Sequence, residues 1–128
     1  MNRRSCQVPT IAIIEDDASV QRAFRLLLSS AGFEAVVFPS VEAFVESRDR
    51  TACDCIVTDL CMPSLTGFDL LERMQHQVNR PPIIVVTAFS TSTNREHAHR
   101  LGANAFFAKP IDDQALVDTI TWCIEADK

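Results

Sequence analysis

The sequence predicts an α/β domain, a doubly wound sheet of five parallel strands in which each strand is followed by a helix. Three observations carry that expectation. Short apolar runs recur at residues 11–14, 53–58, 83–86 and 105–108, too short for most helices and too continuous for strands with one wet face. Between them lie stretches whose apolar residues repeat at helical spacing. Each run also ends in polar residues, successively Glu15-Asp16-Asp17, Asp59, Thr87-Ala88 and Lys109-Pro110.

The elements follow in order. Residues 1–10 read as a tail and residues 11–128 as the domain, with the first strand at 11–14. Asp17 or Ser19 can cap a helix through about residue 31, with Val20, Phe24, Leu27 and Leu28 on one stripe and Gly32 ending it. A short second strand at 34–38 leads to Pro39-Ser40, which opens a helix bearing Val41, Phe44 and Val45. The third strand delivers Asp59. Residues 63–67 form a loop, 68–78 a helix on Leu70, Leu71 and Met74, and Pro81-Pro82 breaks the chain before the fourth strand. The helix at 91–101 has almost no apolar stripe, reading Asn94-Arg95-Glu96-His97 and His99-Arg100, so light packing and mobility are expected. A fifth strand at 105–108 and a last helix at 112–125 on Leu116, Ile120 and Ile124 complete five βα units.

A chain of 128 residues suits one domain with one core. Its formal net charge of −5 gives it no electrostatic footprint for nucleic acid or an acidic membrane. No apolar run approaches the roughly 20 residues of a membrane span, and residues 1–10 lack the apolar stretch of a secretory signal, so a cytoplasmic, non-membrane protein is expected. The five cysteines lack the spacing of a disulfide framework or a zinc site and read as reduced thiols. Cys6 reads as a tail residue, whereas Cys53 and Cys55, two apart on one strand, are expected to share a face as small apolar packing groups. His97 and His99, two apart on a helix, point to different sides, and with His76 are expected on solvated faces.

If the strands are parallel, their C-terminal ends share one edge of the sheet and the polar groups converge there. Three or four carboxylates, a hydroxyl and an ammonium can together hold a divalent cation and a tetrahedral anion. Asp16 and Asp59 supply hard oxygens suited to Mg²⁺, with Mn²⁺ as the alternative. Asp59 is expected to sit exposed where a buried strand becomes a loop. Asp17 reads as favourable charge at a helix N-terminus. Lys109 as a plain surface lysine and Thr87 as a plain strand residue are the bland alternatives, and the shared edge with Asp59 weighs against both. A dinucleotide or flavin binder of similar architecture needs a phosphate-cradling first turn, where this chain places three acids.

Together, Glu15-Asp16, Asp59 followed by Met62-Pro63 and Gly67, Thr87-Ala88, Gly102-Ala103 and Phe106 ahead of Lys109-Pro110 resemble the response-regulator receiver domain of two-component signalling. From residue 11 to residue 44 the chain is similar to the receivers of FixJ and NarL-type transcriptional regulators. The resemblance implies a CheY-like, flavodoxin-like (βα)₅ fold and a phosphoacceptor at Asp59, phosphorylated from a sensor histidine kinase. It implies Mg²⁺ held by Asp16, Asp59 and the backbone carbonyl of Cys61, with Glu15 acting through water, and a reaction assisted by Thr87 and Lys109. Thr87 and Phe106 become the switch, with Phe where many relatives carry Tyr, and Lys109-Pro110 is expected to be cis. Cys61 and Phe89 fall where hydrolytic water approaches, and neither orients water well, so slow autodephosphorylation is expected. The chain is then not an enzyme beyond its own phosphorylation and dephosphorylation. A phosphorylation-dependent homodimer through the fourth helix, fifth strand and fifth helix is implied. The implied output is transcription through a DNA-binding domain absent from this chain; the alternative is a stand-alone adaptor or phosphorelay intermediate.

Overall fold

Apolar strands with no polar face must be covered on both sides, and the fold does so with five helices. The computed structural model describes residues 8–47 and 52–126; Cys6 and the rest of the expected tail through residue 7 lie outside them. The elements are β1 (Thr10–Ile14), α1 (Ala18–Ser30), β2 (Glu34–Phe38), α2 (Val41–Glu46), β3 (Cys55–Thr58), α3 (Gly67–Met74), β4 (Ile83–Thr87), α4 (Ser92–Arg100), β5 (Ala105–Ala108) and α5 (Asp113–Ala126). All strand pairs are parallel, in the order β2-β1-β3-β4-β5.

Strand alternation sorts the core into two layers. Ile11, Ile13, Cys55, Val57, Ile84 and Val86 pack beneath Phe24 and Leu28 of α1 and Leu116, Ile120 and Ile124 of α5. On the other face Ala12, Ile14, Ile56, Ile83 and Val85 meet Val41 and Phe44 of α2, Leu70, Leu71 and Met74 of α3, and Ala98 of α4. Asp17 caps α1 by accepting the amides of Ser19 and Val20, and Gly32, at φ +92°, ends it. Ser40 caps α2, as its position after Pro39 predicts. α4 is as lightly packed as its sequence implies: among the described residues Ala98 is the one α4 side chain that is buried.

Three expectations need correction. α3 ends at Met74 rather than residue 78, because beyond it no further stripe residue reaches the core: Val78 is 87% exposed, and Asn79 turns the backbone to φ 62° ahead of Pro81-Pro82. β3 begins at Cys55, and Cys53 and Cys55 fall in opposite core layers. The alternation that would align them starts only after Asp54, whose amide and carboxylate are held by the backbone of Thr10. His97 is half-buried instead of solvated, its ring stacked on Phe68 of α3 at 4.4 Å between centroids.

β1 has β2 on one side and β3 on the other, so consecutive βα connections leave it in opposite directions and a crevice opens beyond the C-terminal ends of β1 and β3. Residues 59–67 close over this crevice through one tight approach. The Gly67 amide donates to the Leu60 carbonyl at 3.0 Å, and a Cβ at Gly67 would lie 2.4 Å from the carbonyl oxygen of Asp59 and 2.9 Å from Cα of Leu60. Both obstacles are backbone. Gly67→Ala is therefore expected to displace the Asp59–Leu60 segment and destabilise the fold by about 1 to 3 kcal/mol, read as a lower urea midpoint at unchanged slope; a midpoint equal to wild type would show that the approach carries no constraint.

Candidate functional site

Four of the five strands, β1, β3, β4 and β5, carry a polar group at or just beyond their C-terminal ends beside the crevice. β1 is followed by Glu15, whose amide is held by the Phe38 carbonyl at 3.0 Å. Its side chain is buried, with Oε2 accepting from the Asp17 amide at 3.1 Å. Asp16 follows at the exposed rim. β3 delivers Asp59, which is recessed rather than exposed as expected, with its side chain 12% accessible, because residues 59–67 fold back over it.

Lys109, following β5, reaches across the strand ends. Its Nζ lies 3.0 Å from Asp59 Oδ2 and 3.2 Å from Glu15 Oε1, so one ammonium bridges the acids that follow two neighbouring strands. The Lys109 amide donates to the Thr87 carbonyl at 2.9 Å and the Lys109-Pro110 bond is cis. The second Asp59 oxygen accepts the Cys61 amide at 3.2 Å.

Burial raises the Glu15 carboxyl above its ordinary pKa, and the Asp17 amide and Lys109 ammonium draw it only partly back. Burial works against the charged form of Lys109 too, yet hydrogen bonds and charge attraction, first to Asp59 and then to Glu15, leave its pKa above the usual value. Asp17 moves the other way, lowered by its bonds from Ser19 and Val20, as suits a capping carboxylate outside the crevice.

Thr87 is fully buried at the end of β4 and its Oγ1 accepts the Phe89 amide at 3.1 Å. Phe89 itself points outward, 56% exposed. Phe106 sits half-buried on the α4 side of the sheet, with the Arg95 guanidinium 4.7 Å from its ring centroid. Phe107 belongs to the opposite layer, as its alternate position in β5 requires.

The crevice thus gathers Glu15, Asp59 and Lys109 in direct contact, with Asp16 at its rim and Thr87 alongside. Among the described residues no three His, Cys, Asp or Glu side chains form a ready-made metal cluster. The chemistry of the donor set nonetheless suits a hard cation: the carboxylates of Asp16 and Asp59 and the carbonyl of Cys61 could all offer oxygen donors. Two carboxylates meet one ammonium here and a third stands at the rim, an excess of negative charge that a divalent cation would offset. The direct Glu15–Lys109 pair was not foreseen; strand order was the missing signal, because only with β1 beside β3 does Glu15 come within reach of the lysine that also holds Asp59. The contacts of Arg95 with Phe106 and of His97 with Phe68 were also missed. Both join residues on different elements, which spacing within one helix does not reveal.

The Cys61 thiol, the exposed one among the described cysteines, is raised in pKa by partial burial and then by the Asp59 charge, while burial pushes Cys53 to about 11. In a Cys6→Ser background, the fast-reacting thiol of the native protein is expected to be Cys61, with a disulfide-exchange rate that rises through a midpoint higher than that of an unperturbed thiol. Adding Asp59→Asn is expected to lower that midpoint; an unmoved midpoint would show that the carboxylate is not felt at the sulfur.

Residues 11–121 match the response regulator receiver domain family. Over 110 residues the chain is 36% identical to the transcriptional regulatory protein FixJ of Bradyrhizobium diazoefficiens, an alignment covering 86% of this chain and 54% of FixJ. The chain spans about half the length of the curated relatives it matches. Full-length FixJ from B. japonicum superposes with a TM-score of 0.85 at 33% identity, over 94% of this chain and 59% of that one. The receiver domain of the sensor histidine kinase PA1611 of Pseudomonas aeruginosa PAO1, solved with a magnesium ion in its active site cleft, superposes with a TM-score of 0.82 at 26% identity, over 93% and 99% of the two chains.

Proposed function

Since the chain belongs to the response regulator receiver domain family, we propose that it receives a phosphoryl group on Asp59 from a sensor histidine kinase and switches conformation to control transcription. The observation that carries this is the Lys109 ammonium bridging Asp59 and Glu15 in the crevice. A nucleophile must be placed and its charge balanced before an anionic phosphoryl group can approach, and phosphoryl transfer asks for little else.

In the reaction, one Asp59 oxygen attacks phosphorus as the bond from phosphorus to the kinase imidazole nitrogen breaks, and the imidazole leaves with that electron pair. The product is an acyl phosphate on Asp59. Mg²⁺ or Mn²⁺, held by Asp16, Asp59 and the Cys61 carbonyl, would neutralise charge on the transferred oxygens. The Cys61 amide fixes the Asp59 carboxylate, leaving Lys109 to follow the phosphoryl oxygens while staying paired with Glu15. Thr87 exchanges the Phe89 amide for a phosphoryl oxygen, to which its hydroxyl can donate.

The protein turns over nothing but its own acyl phosphate. Phosphorylation is expected to promote a homodimer through α4, β5 and α5, with DNA bound by a separate output domain. No described helix is long and apolar enough to cross a membrane; the site of action proposed is the cytoplasm.

Asp59→Asn is expected to abolish base-labile labelling by acetyl phosphate in Mg²⁺; a variant labelled to the wild-type level would overturn the assignment. Phe89, exposed at the mouth, offers no group to orient water. Phe89→Glu is expected to shorten the lifetime of the acyl phosphate several-fold, measured by phosphate release, and an unchanged lifetime would show that this position does not govern hydrolysis.

A further inference from the structure

α4 carries almost no apolar stripe, so its place depends on a few specific contacts, and two of these lead from the switch residues. Asn94 Nδ2 donates to the Phe89 carbonyl at 2.9 Å, while the Phe89 amide donates to Thr87 Oγ1. The next residue, Arg95, lies over the Phe106 ring at 4.7 Å and its Nη1 donates to the Phe106 carbonyl at 3.4 Å. Among the described residues no carboxylate lies within ion-pair distance of Arg95, so the guanidinium is committed to Phe106, by the ring face and the backbone at once. Two consecutive α4 residues thus hold Phe89, two residues beyond Thr87, and the aromatic on β5.

We infer that Arg95 is a positioning residue that latches Phe106 in its resting place and so sets how readily the domain switches. This rests on the proposal that phosphorylation of Asp59 draws Thr87 in and lets Phe106 follow. In the resting arrangement the ring offers its face to the guanidinium. When the ring turns toward the space behind Thr87 the cation loses it, so the latch opposes switching and is released by it, and α4 loses one of the few contacts that fix it. A ligand that binds the switched form must work against this bias, and its apparent affinity falls accordingly.

The test is titration of the Mg²⁺-loaded protein with beryllofluoride, followed by NMR of the Thr87 amide, for wild type, Arg95→Met, Phe106→Leu and the double variant. Met keeps length and apolar contact but removes the cation. Arg95→Met is expected to bind beryllofluoride about two- to fivefold more tightly than wild type, the range an exposed cation–π contact supports. In the Phe106→Leu background the same substitution is expected to change nothing, a non-additivity that general loosening of α4 would not produce. Arg95→Met binding at wild-type affinity, or gaining equally in both backgrounds, would overturn the latch while leaving the phosphoacceptor assignment intact. Wild-type protein that fails to bind beryllofluoride would overturn that assignment and the latch with it.

Discussion

The ammonium of Lys109 is the interaction on which the crevice depends. Glu15 and Asp59 follow adjacent parallel strands, so the register of the sheet forces their carboxylates together in a place largely removed from water. Two like charges about 4 Å apart would cost about 1 kcal/mol at the dielectric of bulk water and about 4 kcal/mol near a protein surface. The lysine offsets that cost by taking one oxygen from each. It can do so because β5 closes the sheet beside β4 with Ala108 level with Thr87, so that Lys109, its amide donating to the Thr87 carbonyl, comes within reach of the end of β3. Register, loop closure at Gly67 and charge balance are thus one constraint seen at three scales.

Much of this was legible in the residues. The buried runs of β1 and β4, the caps at Asp17 and Ser40 and the breaks at Gly32 and Pro81-Pro82 are local signals, and each falls where its chemistry requires. The crevice residues were legible because a polar group directly after an apolar strand has one place to go in a parallel sheet. What was hidden depended on partners distant in the chain. Asp54 bends the chain ahead of β3 by engaging Thr10, which moved Cys53 out of the alternation; nothing near Asp54 in sequence announces it. His97 looked solvated because its neighbours on α4 are polar, yet its ring finds Phe68 on a different helix. Asp59 looked exposed because a loop follows it, and only the return of that loop at Gly67 buries it.

α4 shows how a helix can be placed without a core of its own. Its stacking, cation–π and amide contacts are each modest and directional, so they fix orientation more than they supply stability. A helix held by many apolar contacts would resist a shift of an ångström or two, whereas one held by a few directional contacts can exchange them singly. The polar sequence of α4, which lowers its packing, is therefore also what suits it to report events at β4 and β5.

The division of the core into two layers has a consequence for how such a chain can vary. The central strands β3 and β4 are covered on both faces, and the sheet separates the α1/α5 layer from the α2/α3/α4 layer. Substitutions beneath α1 and α5 share few neighbours with those beneath α3 and α4, so their effects should add rather than compound. One side of the molecule can drift in sequence while the other keeps its shape, and lineages that change partners on one surface need not rebuild the opposite one.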